Sequence, residues 1–202
     1  MSNTVLLEVK DGIGYITINR PAALNALSSE VLTDLNLVLD EVEKHEEIRV
    51  VIVSGQGDKA FVAGADIKEM DQMSPIQAFE YMTYANDTFT RLSDLTQPTI
   101  AVLNGYALGG GLELALSTDI RIGFEKTMVG FPEVGLGIIP GFAGTQRMSR
   151  LIGTSKTKEL IYTARIVKGN EAYDLGILNK LVPAEELLSS AEELAKSMNE
   201  NK

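Results

Sequence analysis

The sequence of 202 residues contains no cysteine, and its only histidine is His45. Without cysteine the chain cannot form a disulfide, a zinc–thiolate site or an iron–sulfur cluster, and it has no cysteine nucleophile. His45 stands in the charged stretch 41–47, where the end of a solvated helix is the simpler interpretation. A Ser-His-Asp triad is therefore not expected.

Positive charge and long apolar runs are also scarce. The 18 Lys and Arg residues face 28 Asp and Glu residues, which gives a formal net charge of −10. This charge repels phosphate backbones and anionic lipid heads, so we expect no nucleic-acid partner. No window approaches the ~20 apolar residues of a membrane span, and the first residues do not resemble a signal peptide. We therefore expect no membrane partner and a cytoplasmic location.

The residues that are present predict one α/β domain over 1–202. Hydrophobic residues make up 45% of the chain and charged residues 23%, which is ordinary for a globular protein. Apolar residues at steps of three and four predict a helix over about 29–46, whereas the run 50–53 is typical of a strand buried on both faces. Further predicted elements are strands over 4–9, 13–18, 99–103, 119–124 and 128–131 and helices over 75–93, 111–117, 142–151, 155–164 and 184–198. This alternation of strands and helices is typical of an α/β fold.

The segment 61–68 is the first of three that depart from an ordinary core pattern. A strand ends here in small residues, and a helix is predicted to begin near Asp66. Small side chains let a ligand approach the backbone, and the free N–H groups of a helix start bind negative oxygen. A tight strand-to-helix turn without any ligand is the alternative.

The second segment, 104–116, contains three successive glycines, 109–111, and Glu113 between two leucines. The glycines cost backbone entropy, and close approach of a ligand is one reason to keep them. An unpaired carboxylate in an apolar helix tends to hold a proton, which suits a general acid or base. The alternative is an acid placed favourably in a first helical turn.

The third segment, 131–141, places Glu133 among apolar residues and glycines. Alone, this carboxyl group could cap the next turn. Together with Glu113 it indicates two carboxyl groups converging on one apolar site.

These segments carry a resemblance to a known family. Residues 64–68, 104–111 with Glu113, and 132–147 resemble motifs of the crotonase superfamily, and the similarity extends from the Asn-Arg-Pro at 19–21 to the Leu-Val-Pro at 181–183. The resemblance implies a spiral of repeated ββα units. It also implies chemistry on a coenzyme A thioester.

The resemblance assigns roles to individual residues. The backbone amides of Ala65 and Gly110 would hold the thioester oxygen, and the amide of Gly141 would contact the reacting water. Glu113 would act as the base and Glu133 as the acid in reversible syn hydration of a trans-2-enoyl-CoA to a 3-hydroxyacyl-CoA. Family hydratases carry both glutamates, whereas isomerases commonly keep one. Substrate and coenzyme contacts are implied at Ala22, Ala23, Ala63, Ala65, Asp66, Ile67, Lys68 and Leu108.

The partners expected from the resemblance are an acyl-CoA substrate and further copies of the chain in a trimer or hexamer. No metal or separate cofactor is expected, since coenzyme A is part of the substrate. The sequence departs from the family at Ala22, where many members carry a charged residue, and at Ala143, where a glycine is common. We also expect the chain to lack the C-terminal helical segment of the family.

Two other functional classes stay open at this point. The chain could be an isomerase, a hydrolase or another acyl-CoA enzyme of the superfamily. It could also be a noncatalytic binding member, since some relatives bind RNA, although the negative charge and the two glutamates favour an enzyme.

Overall fold

The computed structural model describes residues 4–200 of the chain. Its strands are β1 (Val5–Lys10), β2 (Ile13–Ile18), β3 (Val50–Gly55), β4 (Ala60–Val62), β5 (Thr99–Val102), β6 (Tyr106–Leu108), β7 (Ile120–Gly123), β8 (Met128–Gly130), β9 (Val167–Lys168) and β10 (Lys180–Leu181). Its α-helices are α1 (Ser29–Lys44), α2 (Ile67–Met70), α3 (Pro75–Ser93), α4 (Gly110–Leu116), α5 (Gly144–Ile152), α6 (Thr154–Thr163), α7 (Gly169–Asp174) and α8 (Leu187–Glu200). Short 3₁₀ helices cover Pro21–Ala23, Glu133–Leu136 and Ala184–Glu186.

Local sequence signals explain the first elements. Asp11 and Gly12, with φ angles of 52° and 78°, form the tight turn between β1 and β2, as the sequence predicts. The Ser28 side chain accepts a hydrogen bond of 3.3 Å from the Val31 N–H and caps α1. The inner face of α1 is fully apolar and consists of Val31, Leu32, Leu35, Val38, Leu39 and Val42.

Two sheets form the frame of the molecule. The larger has the strand order β1-β2-β3-β5-β7-β10, and the smaller has the order β4-β6-β8-β9. Neighbouring strands from β2 to β10 in the large sheet are parallel, as are β4, β6 and β8 in the small sheet. The chain therefore visits the large sheet, the small sheet and then a helix in each of three successive turns, which begin at β3, β5 and β7. This architecture confirms the predicted spiral of ββα units.

Strand β3, in the middle of the large sheet, is buried on both faces. Val51 and Val53 point into the main core beneath α1, α3 and α4, whereas Val50 and Ile52 belong to a second core. Helix α8 covers this second core with Leu187, Ala191 and Ala195 and with partly buried neighbours. The apolar run at 50–53 is thus buried on both faces, as predicted.

The sequence-based prediction missed the shortest elements. Strands β6, β9 and β10 contain only two or three residues, and α7 contains six, so they are too short to show a hydrophobic period. The helix predicted from residue 142 begins at Gly144, because Ala143 adopts a left-handed conformation with φ of 68°. Within residues 4–200, no helix combines the length and the apolar character needed to cross a membrane.

Candidate active site

A mostly apolar cavity of about 280 Å³ lies where the strands of the small sheet end. The parallel strands β4, β6 and β8 bring their carboxyl ends to one edge of that sheet, so the three segments singled out in the sequence meet there. The lining residues are Ala63, Gly64, Ala65, Ile67, Met70, Ala78, Met82, Gly109, Gly110, Glu113, Pro132, Glu133, Leu136, Ile138, Ile139, Gly141 and Phe142. Two carboxyl groups therefore share one apolar cavity.

Glu113 lies in the first turns of α4 and is 1% exposed. Its Oε1 atom accepts hydrogen bonds from the N–H groups of Phe142, at 2.8 Å, and Gly144, at 2.7 Å. No residue from 4 to 200 donates to Oε2, which leaves that oxygen available to a ligand. Burial, with a smaller effect of nearby Glu133, raises the pKa of Glu113 to about 7 against the opposing effect of the two N–H donors. The group can therefore exchange a proton near neutral pH.

Glu133 opens the 3₁₀ helix that follows β8 and is 8% exposed. Its Oε2 atom is buried and has no hydrogen-bond partner among the described residues. Burial raises the pKa of this carboxyl group, which favours the neutral acid. Glu133 thus has a free buried oxygen that can carry a proton, whereas at Glu113 two N–H donors oppose the effect of burial.

Protein neighbours account for the glycine run 109–111. A Cβ atom at Gly109 would lie 2.6 Å from Oε1 of Glu133, and one at Gly110 would lie 2.8 Å from the ring of Phe142. A Cβ atom at Gly111 would collide with the carbonyl oxygen of Val62. Packing against protein atoms therefore already explains these glycines, and the expected close approach of a ligand stays a prediction.

Ala65 and Gly110 both line the cavity. Leu27 donates to the Gly64 carbonyl at 2.9 Å and accepts from the Asp66 N–H at 2.7 Å, so the intervening Ala65 N–H is turned away from Leu27. Gly110 is the first residue of α4. Neither N–H has an acceptor within the part of the chain that the structure describes. Two such donors can hold an oxygen on which negative charge develops.

The cavity collects some of the sequence-predicted site residues and not others. It includes Glu113, Glu133, Ala65, Gly110, Gly141, Ala63 and Ile67. It does not include Ala22, Ala23, Asp66, Lys68 and Leu108. Ala22 and Ala23 lie in the first 3₁₀ helix, Lys68 is exposed on α2, and Leu108 ends β6.

Asp66 has a structural role in the structure. Its carboxylate pairs with Arg20 at 3.1 Å and accepts the Glu69 N–H at 3.4 Å, so it caps α2. Asn25, four residues after the Asn-Arg-Pro at 19–21, is 1% exposed and donates to the carbonyl of Ala60 at 2.8 Å. Arg20 therefore holds the turn that carries Ala65, and Asn25 holds the start of β4.

Sequence reasoning missed much of the apolar lining. Ala78 and Met82 lie one helical turn apart on α3, and the ring of Phe142 packs edge-on against Tyr81 and Phe89 of the same helix. In the sequence these positions look like ordinary core residues of an amphipathic helix. Helix α3 therefore forms one wall of the cavity, and no sequence motif indicated that role.

We expect Glu113→Gln to stabilise the protein at alkaline pH. A folded-state pKa of about 7 against an ordinary value of 4.5 gives a contribution to stability that is full below pH 4.5 and is lost as pH rises through 7. Glutamine keeps an acceptor for the two N–H groups and carries no charge. The free energy of unfolding of the variant should exceed that of the wild type by roughly 2–3 kcal/mol at pH 8 and by far less at pH 5.

Urea denaturation at both pH values measures this difference. Glu41→Gln, at an exposed position of α1, controls for the loss of one negative charge. An equal or smaller unfolding free energy of Glu113→Gln at pH 8 would show that the buried carboxylate costs nothing.

Several known proteins resemble this chain in sequence. The profile of the family described as Enoyl-CoA hydratase/isomerase matches residues 8–202. The chain is 48% identical over 199 residues to the short-chain-enoyl-CoA hydratase of Clostridium acetobutylicum, covering 98% of this chain and 76% of that protein. It is 41% identical over 191 residues to the crotonyl-CoA hydratase of Syntrophomonas wolfei, covering 95% and 74%.

A solved structure agrees with these relatives. The crystal structure of an enoyl-CoA hydratase from Bacillus anthracis superposes with a TM-score of 0.95 at 39% identity, and the match covers 98% of this chain and 77% of that one. The buried glutamate pair, the spiral fold and these similarities agree, and the chain belongs to the enoyl-CoA hydratase/isomerase family of the crotonase superfamily.

Proposed function

We propose that this chain catalyses the reversible syn addition of water to a trans-2-enoyl-CoA, giving a 3-hydroxyacyl-CoA. The observation that carries the proposal is the pair Glu113 and Glu133, two buried carboxyl groups on one apolar cavity of about 280 Å³. The relatives named as short-chain-enoyl-CoA and crotonyl-CoA hydratases support the same reaction. An apolar cavity with two proton-transfer groups suits a short acyl chain and one water molecule.

The proposed proton path uses the two environments of the glutamates. Glu113, whose carboxylate is favoured by two N–H donors, removes a proton from water as the water oxygen bonds to C3. The electron pair of the C2–C3 double bond moves toward the thioester oxygen and then takes a proton from neutral Glu133 at C2. The reverse reaction runs through the same groups with their roles exchanged. The Gly141 N–H, which has no acceptor within residues 4–200, is proposed to hold the water.

Ala65 and Gly110 are proposed to stabilise the enolate-like oxygen. Their N–H groups are fixed by the backbone before substrate arrives, so little reorganisation is needed when charge develops. One such donor is worth roughly 3–4 kcal/mol in comparable acyl-transfer sites. Because the thioester itself acidifies C2, the proposed route requires neither a metal ion nor a redox cofactor.

Product analysis in isotopically labelled water tests the proposal. Crotonyl-CoA should yield 3-hydroxybutyryl-CoA with the labelled oxygen at C3, and trans-3-hexenoyl-CoA should not be converted to the 2-enoyl isomer at a comparable rate. Isomerisation without hydration would assign the chain to the isomerases instead. Binding of both thioesters without any conversion would make it a noncatalytic member.

Lys68 is proposed to contact the phosphate groups of coenzyme A. It is exposed on α2, next to the turn that carries Ala65, and a protein of net charge −10 needs a local cation to hold a polyanion. We expect Lys68→Ala to raise the Kd of butyryl-CoA about 3–10-fold at low ionic strength and to lose that effect in high salt.

Lys44→Ala is the matched control for Lys68→Ala. The start of α1 lies beside α2, because the Ser29 N–H donates to Glu69 of α2. Lys44 lies at the other end of the 16-residue helix α1, about 22 Å from Ser29. Calorimetric titration at two salt concentrations should show the effect for Lys68→Ala alone. An unchanged Kd at low salt would remove Lys68 from the coenzyme site.

The resemblance to the family also leads us to propose a homo-oligomer in the cytoplasm. Large apolar side chains support association, since Ile76, Phe79 and Tyr162 are 71%, 67% and 71% exposed. Sedimentation equilibrium distinguishes a trimer or hexamer from a monomer.

A further inference from the structure

Asn86 of α3 connects the wall of the cavity to the loop that follows the second glutamate. Its Nδ2 atom donates to the carbonyl of Met82 at 2.9 Å, within the helix, and to the carbonyl of Gly141 at 2.8 Å, across 55 residues of sequence. The side chain is half-buried. None of the motifs noted in the sequence includes this residue.

The acceptor of this bond belongs to a peptide group that also serves Glu113. The Gly141 carbonyl and the Phe142 N–H are the two polar ends of a single trans peptide plane. One end accepts from Asn86, and the other donates to Oε1 of Glu113 at 2.8 Å. Because the plane is rigid, fixing the direction of the carbonyl also fixes the direction of the N–H.

The hydrogen bond from Asn86 restricts the orientation of this peptide plane. Without a donor on its carbonyl side, the peptide could rotate about the flexible bonds of Gly141. The ring of Phe142 is held by Tyr81 and Phe89 at centroid distances of 5.6 and 5.7 Å, which fixes the side chain but not the peptide plane before it. A donor at the carbonyl also polarises the peptide and strengthens the bond that its N–H gives.

We infer that Asn86 is a positioning residue that clamps the Gly141–Phe142 peptide so that its N–H supports the carboxylate of Glu113. Its effect on catalysis rests on the proposed hydration, whereas its effect on Glu113 does not. Oε1 has two donors, and the second, the Gly144 N–H at 2.7 Å, stays in place without Asn86. Loss of Asn86 therefore weakens the support of the carboxylate without abolishing it.

The charged groups around Glu113 are unaffected by a change at position 86. Glu133 raises the pKa of Glu113, and Arg147 of α5 lowers it. Since the Phe142 N–H also lowers that pKa, its misalignment should raise the value while the other influences stay constant.

Two variants remove the donor in different ways. Asn86→Leu keeps the approximate volume of the side chain, and Asn86→Ala adds no apolar bulk. Asn36→Leu is the matched control, because Asn36 of α1 also donates to the carbonyl four residues earlier, at 3.1 Å, and to a distant acceptor, Thr88 of α3, at 2.6 Å. Its replacement removes the bond to Thr88 and also the Oδ1 acceptor of a 3.2 Å bond from Arg91, and none of these groups contacts Glu113.

The first readout is the titration of the Glu113 carboxyl carbon by NMR in protein labelled at glutamate, with the resonance assigned by its absence in Glu113→Gln. We expect the pKa of Glu113 to rise by about half to one unit in both Asn86 variants and to stay at the wild-type value in Asn36→Leu. An unchanged Glu113 titration in the Asn86 variants would overturn the inference.

The second readout is the kinetics of crotonyl-CoA hydration. We expect the Asn86 variants to lower kcat about 3–10-fold, to move the acid limb of the pH profile upward and to leave KM within about twofold. A fall in kcat equal to that of Asn36→Leu, with no movement of the acid limb, would also overturn it. If wild-type protein hydrates nothing while the NMR shift is present, the proposed function fails and the positioning role stands.

Discussion

Replacing Glu113 by glutamine is expected to lower kcat for crotonyl-CoA hydration at least about 100-fold. Glutamine keeps an oxygen that can accept the N–H groups of Phe142 and Gly144, so the geometry of the cavity should survive. What it lacks is the ability to take a proton from water. The Kd of butyryl-CoA, which cannot be hydrated, should therefore change little.

Spectrophotometric assays with crotonyl-CoA measure kcat, and calorimetric titration with butyryl-CoA measures Kd. Glu41→Gln serves as the exposed control of the same chemical change. Near-normal turnover by Glu113→Gln alone would favour the isomerase alternative, in which one glutamate suffices.

Replacing Glu133 by glutamine should lower kcat by a similar factor for a different reason. Its carboxyl group has a buried oxygen without a partner among residues 4–200, and burial favours the protonated form that the proposed reaction needs at C2. Glutamine cannot donate that proton, so the enolate-like intermediate would not be protonated at C2. We expect a loss of about 100-fold or more.

Hydrogen exchange separates the roles of the two glutamates. In heavy water, butyryl-CoA should exchange a C2 proton on the wild type and on Glu113→Gln, because Glu133 serves that carbon. Glu133→Gln should lose the exchange. The opposite pattern, with exchange dependent on Glu113, would reverse the assignment of acid and base.

The sequence predicted those parts of the fold that carry a local signal. The helix predicted over about 75–93 coincides with α3, because Pro75 suits a first helical turn; the structure adds Ser74 as its cap. Strand β9 could not be predicted, because its two residues are a strand only through pairing with β8. Such long-range pairing leaves no local periodicity.

The candidate site, like the fold, was only partly predictable from the sequence. Glu113 and Glu133 were identifiable because a carboxyl group among leucines and glycines violates the pattern of a core. The donors to Glu113 were not, because a backbone N–H has no residue type that marks it, and Phe142 and Gly144 are 29 and 31 residues away. Asn86 looks in the sequence like any polar position on an amphipathic helix.

We propose that two buried carboxyl groups in one apolar cavity add water to the double bond of a coenzyme A thioester. The decay of the ultraviolet absorbance of crotonyl-CoA on mixing with the purified chain tests it most directly, with the Glu113→Gln/Glu133→Gln double variant as the blank. We expect decay to an equilibrium with 3-hydroxybutyryl-CoA at a rate at least about 100-fold above that of the double variant. Equal rates for the two proteins would contradict it.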